Sequence, residues 1–326
     1  MTIVSAAAAL LTTTLRRSGM VMLTVLIAQT SVAAARWNPR QPLAAVPCQL
    51  FPANNVWNAD ISALPVDAHS ADYVNSIGAA APLHPDFGTR KIGIPYAVAT
   101  SVQAAVPISF SLYGDESDPG PYPVPPDSPV EKGSDRHVLV VQAGTCRVYE
   151  LFAARRRRRG ASWIAGSGAF WDLSSNALRP AGWTSADAAG LPILPGLVRY
   201  EEVANGVITH ALRFTVPNTQ AAYVWPARHL ASSGSSASLP PMGVRFRLKS
   251  SVDLSGFSAA NQVILTALKR YGMFVADNGG AWFVTGAPDP RWNDDDLHLL
   301  DGIHGADFEA VDESGLMVSP DSGQVQ

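Results

Sequence analysis

The sequence predicts a mainly β fold, an antiparallel sandwich or jelly roll carrying one or two short helices. Short runs of alternating apolar and polar residues recur, with turn signals between them. The 25 prolines are spread along the chain and argue against an all-helical body. One helical pattern stands out against many strand-like ones, and no fixed-period repeat is present.

Residues 1–35 have the layout of an export leader. Arg16 and Arg17 precede an apolar run at residues 20–27 (MVMLTVLI), and Val32, Ala33, Ala34 and Ala35 supply small residues for a cleavage site. The apolar run falls short of the about 20 residues that span a bilayer. A cleaved, secreted or periplasmic product without stable membrane insertion is therefore expected. Residues 36–312 then form one β-rich domain, and residues 313–326 form a frayed, disordered tail. The formal net charge of −3 becomes −5 without the two leader arginines, which speaks against a nucleic-acid partner. Cys48 and Cys146 stand alone, and an exported chain with two cysteines is expected to join them in one disulfide.

Each element has its own signal. Residues 36–65 read as an extended lead-in that docks on the main body. Residues 66–77 suit a short helix with Ser70 as cap, ended by Gly78. His84, Asp86 and Arg90 fall in a Pro/Gly-rich loop. Residues 115–132 (DESDPGPYPVPPDSPVEK) have too many prolines and acids for sheet or helix, and so form a lid or a covering strap. Residues 136–142 and 146–152 alternate on either side of a turn and make a hairpin. Arg155, Arg156, Arg157, Arg158 and Arg159 follow; a solvated loop tip is the plain reading and an anion-binding patch the sharper one. Residues 197–203 and 207–216 form a second hairpin about Asn205-Gly206. Residues 258–271 form the clear helix, capped by Ser258, with Val263, Ile264, Ala267, Leu268 and Tyr271 on one face and Gly272 as its stop.

The stretch from residue 176 to 229 gathers ionisable and aromatic side chains within an apolar, Pro- and Gly-punctuated run, and is read as the floor of a pocket. Such groups are expensive to bury unless paired or used. A glycosidase needs two carboxyls flanking the scissile bond, which Glu150 with Glu201 or Asp187 supply. A polysaccharide lyase needs a cation and a proton acceptor, which His137, His210, Arg213, Tyr223, Arg228 and His229 supply. The expected catalytic set is therefore Glu150, Asp187, Glu201, His210 and Arg213. His137, Trp183, Arg199, Tyr223, Arg228 and His229 are expected to bind substrate. No metal site is assigned: Asn293, Asp294, Asp295 and Asp296 resemble a calcium loop but lack its Gly and distal Glu. No cofactor motif is present, and G-x-S-x-G is only partly matched at Gly166-Ser167-Gly168.

The segments LRPAGWTSADAAGLPILPGLVRYEEV, HALRFT, YVWPARH, ALKRYGM, ADNGG and GAPDPRW together resemble a family of secreted bacterial proteins of unassigned function. The resemblance spans roughly residues 51–312 and implies no catalytic residues. The expected function is that of a secreted, monomeric carbohydrate-active enzyme. It would cleave an extracellular or cell-wall polysaccharide by hydrolysis or β-elimination. The alternatives are a non-catalytic carbohydrate-binding or envelope-associated protein and, last, a secreted peptidase.

Overall fold

Alternating runs become strands where turns delimit them. In chain order these are β1 (His84–Asp86), β2 (Tyr96–Ala99), β3 (Ile108–Phe110), β4 (Val138–Gln142), β5 (Arg147–Phe152), β6 (Arg155–Arg157) and β7 (Ser162–Ala165). There follow β8 (Ser167–Asp172), β9 (Leu212–Val216), β10 (Arg245–Leu248), β11 (Met273–Asn278), β12 (Phe283–Thr285) and β13 (Phe308–Val311). The helices are α1 (Ser70–Ile77), α2 (Tyr200–Ala204), α3 (Ala259–Arg270) and α4 (Asp294–Leu297), with short 3-10 turns between elements. This computed structural model describes residue 38, residues 40–89 and residues 92–326, so the leader and Arg90 lie outside the described residues.

The strands form three sheets, ordered β1-β12-β9-β11-β10-β13, β2-β4-β5-β8 and β3-β7-β6. The fold is mainly β, as expected, but the antiparallel expectation needs correction. The pairs β1–β12, β9–β11, β2–β4 and β3–β7 are parallel. Parallel partners cannot be joined by a tight turn, and here each connection passes through other strands, with α3 also between β9 and β11.

β4 shows how the sheets share their cores. All five of its residues are buried. Leu139 and Val141 face the main core, while Val138 and Val140 face a smaller one with Tyr122 and Trp163. Two covered faces account for the unbroken apolar run VLVVQ, because successive strand side chains point to opposite sides. β4 and β5 are the expected hairpin, with Val138 opposite Leu151. Next to its turn, Cys146 is joined to Cys48 in the expected disulfide, which pins the lead-in to this sheet.

α3 follows its sequence signal closely. The Ser258 hydroxyl accepts from the Asn261 N–H, and Ile264, Leu265, Ala267 and Leu268 enter the core. Gly272 ends the helix at φ +65, where a Cβ would meet the Phe246 carbonyl oxygen at 2.3 Å. Glycine is required there on both counts.

Two expectations fail for identifiable reasons. Asn205-Gly206 does not close a hairpin. Residues 200–204 are helical, and β9 pairs with β11 and β12 instead. The Gly206 N–H donates to the Val203 carbonyl and the Val207 N–H to the Glu202 carbonyl, a Schellman ending with Gly206 in the left-handed region. Asn-Gly favours positive φ in either setting, and burial of Val203 decides for the helix. Nor is the chain frayed after residue 312. Glu313 is buried against Arg245 at 2.8 Å, the Val56 N–H donates to the Gly323 carbonyl, and Trp225 Nε1 donates to the Ser322 carbonyl. A buried guanidinium and several backbone groups need these partners.

Candidate functional site

Arg213, on β9 in the middle of the largest sheet, organises the site. It clasps Asp187 through Nε (2.9 Å) and Nη2 (2.8 Å) and donates from Nη1 to the Thr285 hydroxyl at 2.6 Å. Asp187 is held in place by its own loop: the Ser185 hydroxyl accepts from the Asp187 N–H at 2.8 Å and donates to the Leu191 carbonyl at 2.6 Å. The parallel neighbour β11 is bulged, since Arg213 lies opposite Phe274 but Thr215 lies opposite Asp277. One extra residue reverses the facing of everything after it. Asp277 is thereby turned to the face that carries Arg213 and Thr215.

Asp187 and Asp277 line a cleft of about 510 Å³ together with Tyr113, Asp135, Ser185 and His229. Burial pushes the Asp277 carboxyl up, the neighbouring Asp187 charge pushes it further, and Arg213 only partly offsets them. The pKa settles at about 7. His229 Nδ1 lies 2.8 Å from the Ala188 carbonyl. A carbonyl only accepts, so Nδ1 carries a hydrogen. Nε2 is 3.7 Å from Glu116 of the 115–132 segment, and Glu116 in turn accepts from the Thr184 N–H at 2.8 Å. That segment is a strap fastened to the cleft's floor. Arg179 ties it down through an ion pair with Asp118 and a bond to the Glu116 carbonyl.

Behind the floor lies a second tier that does not line the cleft. His137, expected to bind substrate, is 3% exposed. Its Nε2 donates to the Ala186 carbonyl at 3.0 Å and its Nδ1 meets Glu131 at 2.6 Å. Burial alone would lower the His137 pKa, but the hydrogen bond and charge of Glu131 outweigh burial and raise it. Glu150, expected to be catalytic, is fully buried and accepts from the Ile193 and Leu194 N–H groups at 2.9 Å. Burial raises its pKa to about 7, against the lowering by those two donors. Trp183 stacks on Arg179, and Arg228 binds Asp321 and the Pro320 carbonyl, which anchors the tail. Tyr223 is half-buried, bridged by backbone pairing to Met242.

His210, Arg199 and Glu201 are placed elsewhere. His210 and Arg199 meet Glu202 at a second cleft, of about 540 Å³, whose wall includes Cys48. Burial would raise the Glu202 pKa, but His210 and Arg199 hold it down at about 2. Arg199 also donates to the Leu194 and Leu197 carbonyls. Glu201 faces this cleft's rim and pairs with Arg291.

Of the expected catalytic residues, Asp187 lines the first cleft and Arg213 clasps Asp187 without lining the cleft, with Glu150 behind and Glu201 and His210 apart. Of the expected binding residues, His229 lines the first cleft. Asp277 is the residue that sequence reasoning missed. The signal was an acid closing an apolar strand, MFVAD, before Asn278-Gly279-Gly280. Without knowledge of the bulge, its facing is unreadable. Asn293 and its neighbours act as caps: Asn293 accepts from the Asp296 N–H, and Asp294 accepts from Thr89. Among the described residues no group of three or more His, Cys, Asp or Glu is placed to hold a metal ion. Nor is any helix among them long and apolar enough to cross a membrane. Comparison of the chain with family models, curated proteins and solved structures finds no match.

Proposed function

We propose that the protein is an exported carbohydrate-active enzyme that hydrolyses a neutral polysaccharide in the Asp277 cleft. One observation carries this reading: a cleft-lining carboxyl with a pKa at about 7, beside a second carboxylate clamped by arginine. Glycoside hydrolysis uses two carboxyls whose environments push their proton affinities apart. Asp277 is the general acid, protonating the leaving oxygen. Asp187, immobilised by Arg213, supplies fixed negative charge towards the positive charge that develops on the sugar. His229 Nε2 is the base for the attacking water. Export is supported by the leader pattern and by the Cys48–Cys146 disulfide.

Hydrolysis is favoured over β-elimination because the cleft lining has Asp135, Asp187 and Asp277 but no Lys or Arg. Elimination needs a cation to neutralise a uronate, and the lining supplies none. An aspartic-peptidase dyad needs two carboxyls sharing a proton, whereas Arg213 occupies both oxygens of Asp187. A flat binding module needs a row of exposed rings, whereas no described Trp is exposed and Tyr113 is the one exposed ring in the cleft lining. The test is a screen of the purified exported chain on neutral and uronate polysaccharides, reading reducing ends and ultraviolet absorbance of unsaturated uronate in parallel. Reducing ends from a neutral polymer alone are expected. Absorbance appearing with them would overturn hydrolysis, and absence of both signals would overturn the enzymatic reading.

A further inference from the structure

The run Arg155, Arg156, Arg157, Arg158 and Arg159 takes no part in either cleft. Eight other arginines sit in ion pairs: Arg179, Arg199, Arg213, Arg228, Arg245, Arg247, Arg270 and Arg291. Arg155, Arg157, Arg158 and Arg159 enter no ion pair among the described residues, and all four are exposed. Arg156 is the anchor. Its guanidinium lies 5.1 Å over the Trp163 ring and donates to the Ser128 carbonyl at 2.6 Å.

Strand alternation sends Arg155 and Arg157 to the face opposite Arg156, about 7 Å apart along the chain. The backbone then turns a left-handed corner, with φ 44 at Arg158 and φ 58 at Arg159. Non-glycine residues adopt this region at an energetic penalty and hold it only where the surroundings impose it. Here Gly160 packs against the strap so closely that a Cβ would come within 2.5 Å of Pro126 Cα. The corner is therefore built, and four exposed arginines without an ion pair among the described residues fall within five successive positions on it.

β6 is also the edge of its sheet, paired with β7 alone. Charged side chains on an edge strand deter edge-to-edge pairing, which accounts for charge within β6 but not for Arg158 and Arg159 beyond it. We propose that Arg155, Arg157, Arg158 and Arg159 form a docking site for an anionic polysaccharide, separate from the Asp277 cleft and independent of its chemistry. Guanidinium groups pair bidentately with carboxylate, sulfate or phosphate oxygens. A nucleic acid is the poorer occupant. Bases need exposed rings to stack on, and the nearby Trp163 is buried beneath Arg156. A lipid surface would call for apolar side chains within the run, and the run has none.

The test is affinity electrophoresis of the exported chain in gels containing polygalacturonate, dextran sulfate or neutral dextran. The wild type is compared with a variant carrying Arg155→Gln, Arg157→Gln, Arg158→Gln and Arg159→Gln. Retardation by one or both anionic polymers, but not by neutral dextran, is expected, and the polymer that retards identifies the oxyanion. With four contacts, the counterion-release rule predicts roughly 100-fold weaker binding as NaCl rises from about 50 to about 300 mM. The variant should lose both retardation and salt dependence while its thermal unfolding stays unchanged. Equal retardation of variant and wild type would overturn the proposal. So would salt-independent binding, no retardation of the wild type, or tighter binding to duplex DNA or anionic phospholipid vesicles than to either polymer.

Discussion

Glu150 gives a test of the buried tier that does not depend on knowing the substrate. Its carboxyl is fully buried and its pKa is raised from 4.5 to about 7, chiefly by burial. The unfolded chain releases this proton near 4.5 and the folded chain near 7. Between those values the folded state binds more protons, so stability declines as pH rises. At about 1.4 kcal/mol per pH unit the full difference is worth about 3 kcal/mol, of which about 2–3 kcal/mol falls between about pH 5 and pH 8. Glu150→Gln keeps one oxygen for the Ile193 and Leu194 N–H groups and cannot ionise. The stability gap between variant and wild type should therefore move by about 2–3 kcal/mol in the variant's favour from pH 5 to pH 8. Urea unfolding at both pH values measures it. Asp277 titrates in both proteins and cancels in the comparison. If the two proteins' stabilities move in parallel with pH, Glu150 does not hold its proton up to about pH 7 in the folded state.

Three further outcomes are expected. Asp277→Asn should lower turnover by about 10²- to 10⁴-fold, and the wild-type kcat/KM should fall as pH rises through about 7, where the acid loses its proton; an unchanged rate in the variant would remove Asp277 from the chemistry. Glu313→Ala leaves Arg245 buried without its counter-ion and should destabilise by about 3–5 kcal/mol in urea unfolding, whereas a frayed tail would give almost no change. Reduction of Cys48–Cys146 releases a loop with sequence separation 98. It should cost about 4–5 kcal/mol by loop entropy, read as the difference in unfolding free energy with and without reductant.

Local signals were legible where the chain interacts with its own neighbourhood. Ser258, the apolar stripe and Gly272 define α3 without help from the rest of the fold, and the β4–β5 hairpin needs only its alternation and a turn. Parallel pairing was not legible, because β9 and β11 are joined through more than fifty residues, and the pattern of α3 and β10 within them does not say which strands pair. Asn205-Gly206 misled because positive φ serves a hairpin and a helix end alike. Asp277 was hidden by a bulge, which is a property of two strands together and not of either alone. Glu131 was hidden differently: it lies in a proline-rich loop only six residues before His137, and the local turn that joins them carries no periodic signal.

The concentration of ionisable residues was real, but most of it answers a backbone problem. Between β8 and β9 the chain runs through the core's edge with only one short helix and one 3-10 turn. Regular structure would pair its carbonyls; an irregular buried segment needs other donors. Side chains supply them in sequence: Arg179 to the Thr184 carbonyl, His137 to Ala186, His229 to Ala188, Ser185 to Leu191, and Arg199 to Leu194 and Leu197. Glu150 serves the N–H groups of the same segment. Charged residues suit this task because a charge-assisted bond holds a loop more firmly than a neutral one. A group spent on a carbonyl is, in that geometry, not free to move a proton to substrate. Subtracting the groups so occupied leaves Asp135, Asp277, the second ring nitrogen of His229 and the clamped Asp187 at the cleft, and the proposed hydrolysis uses the last three.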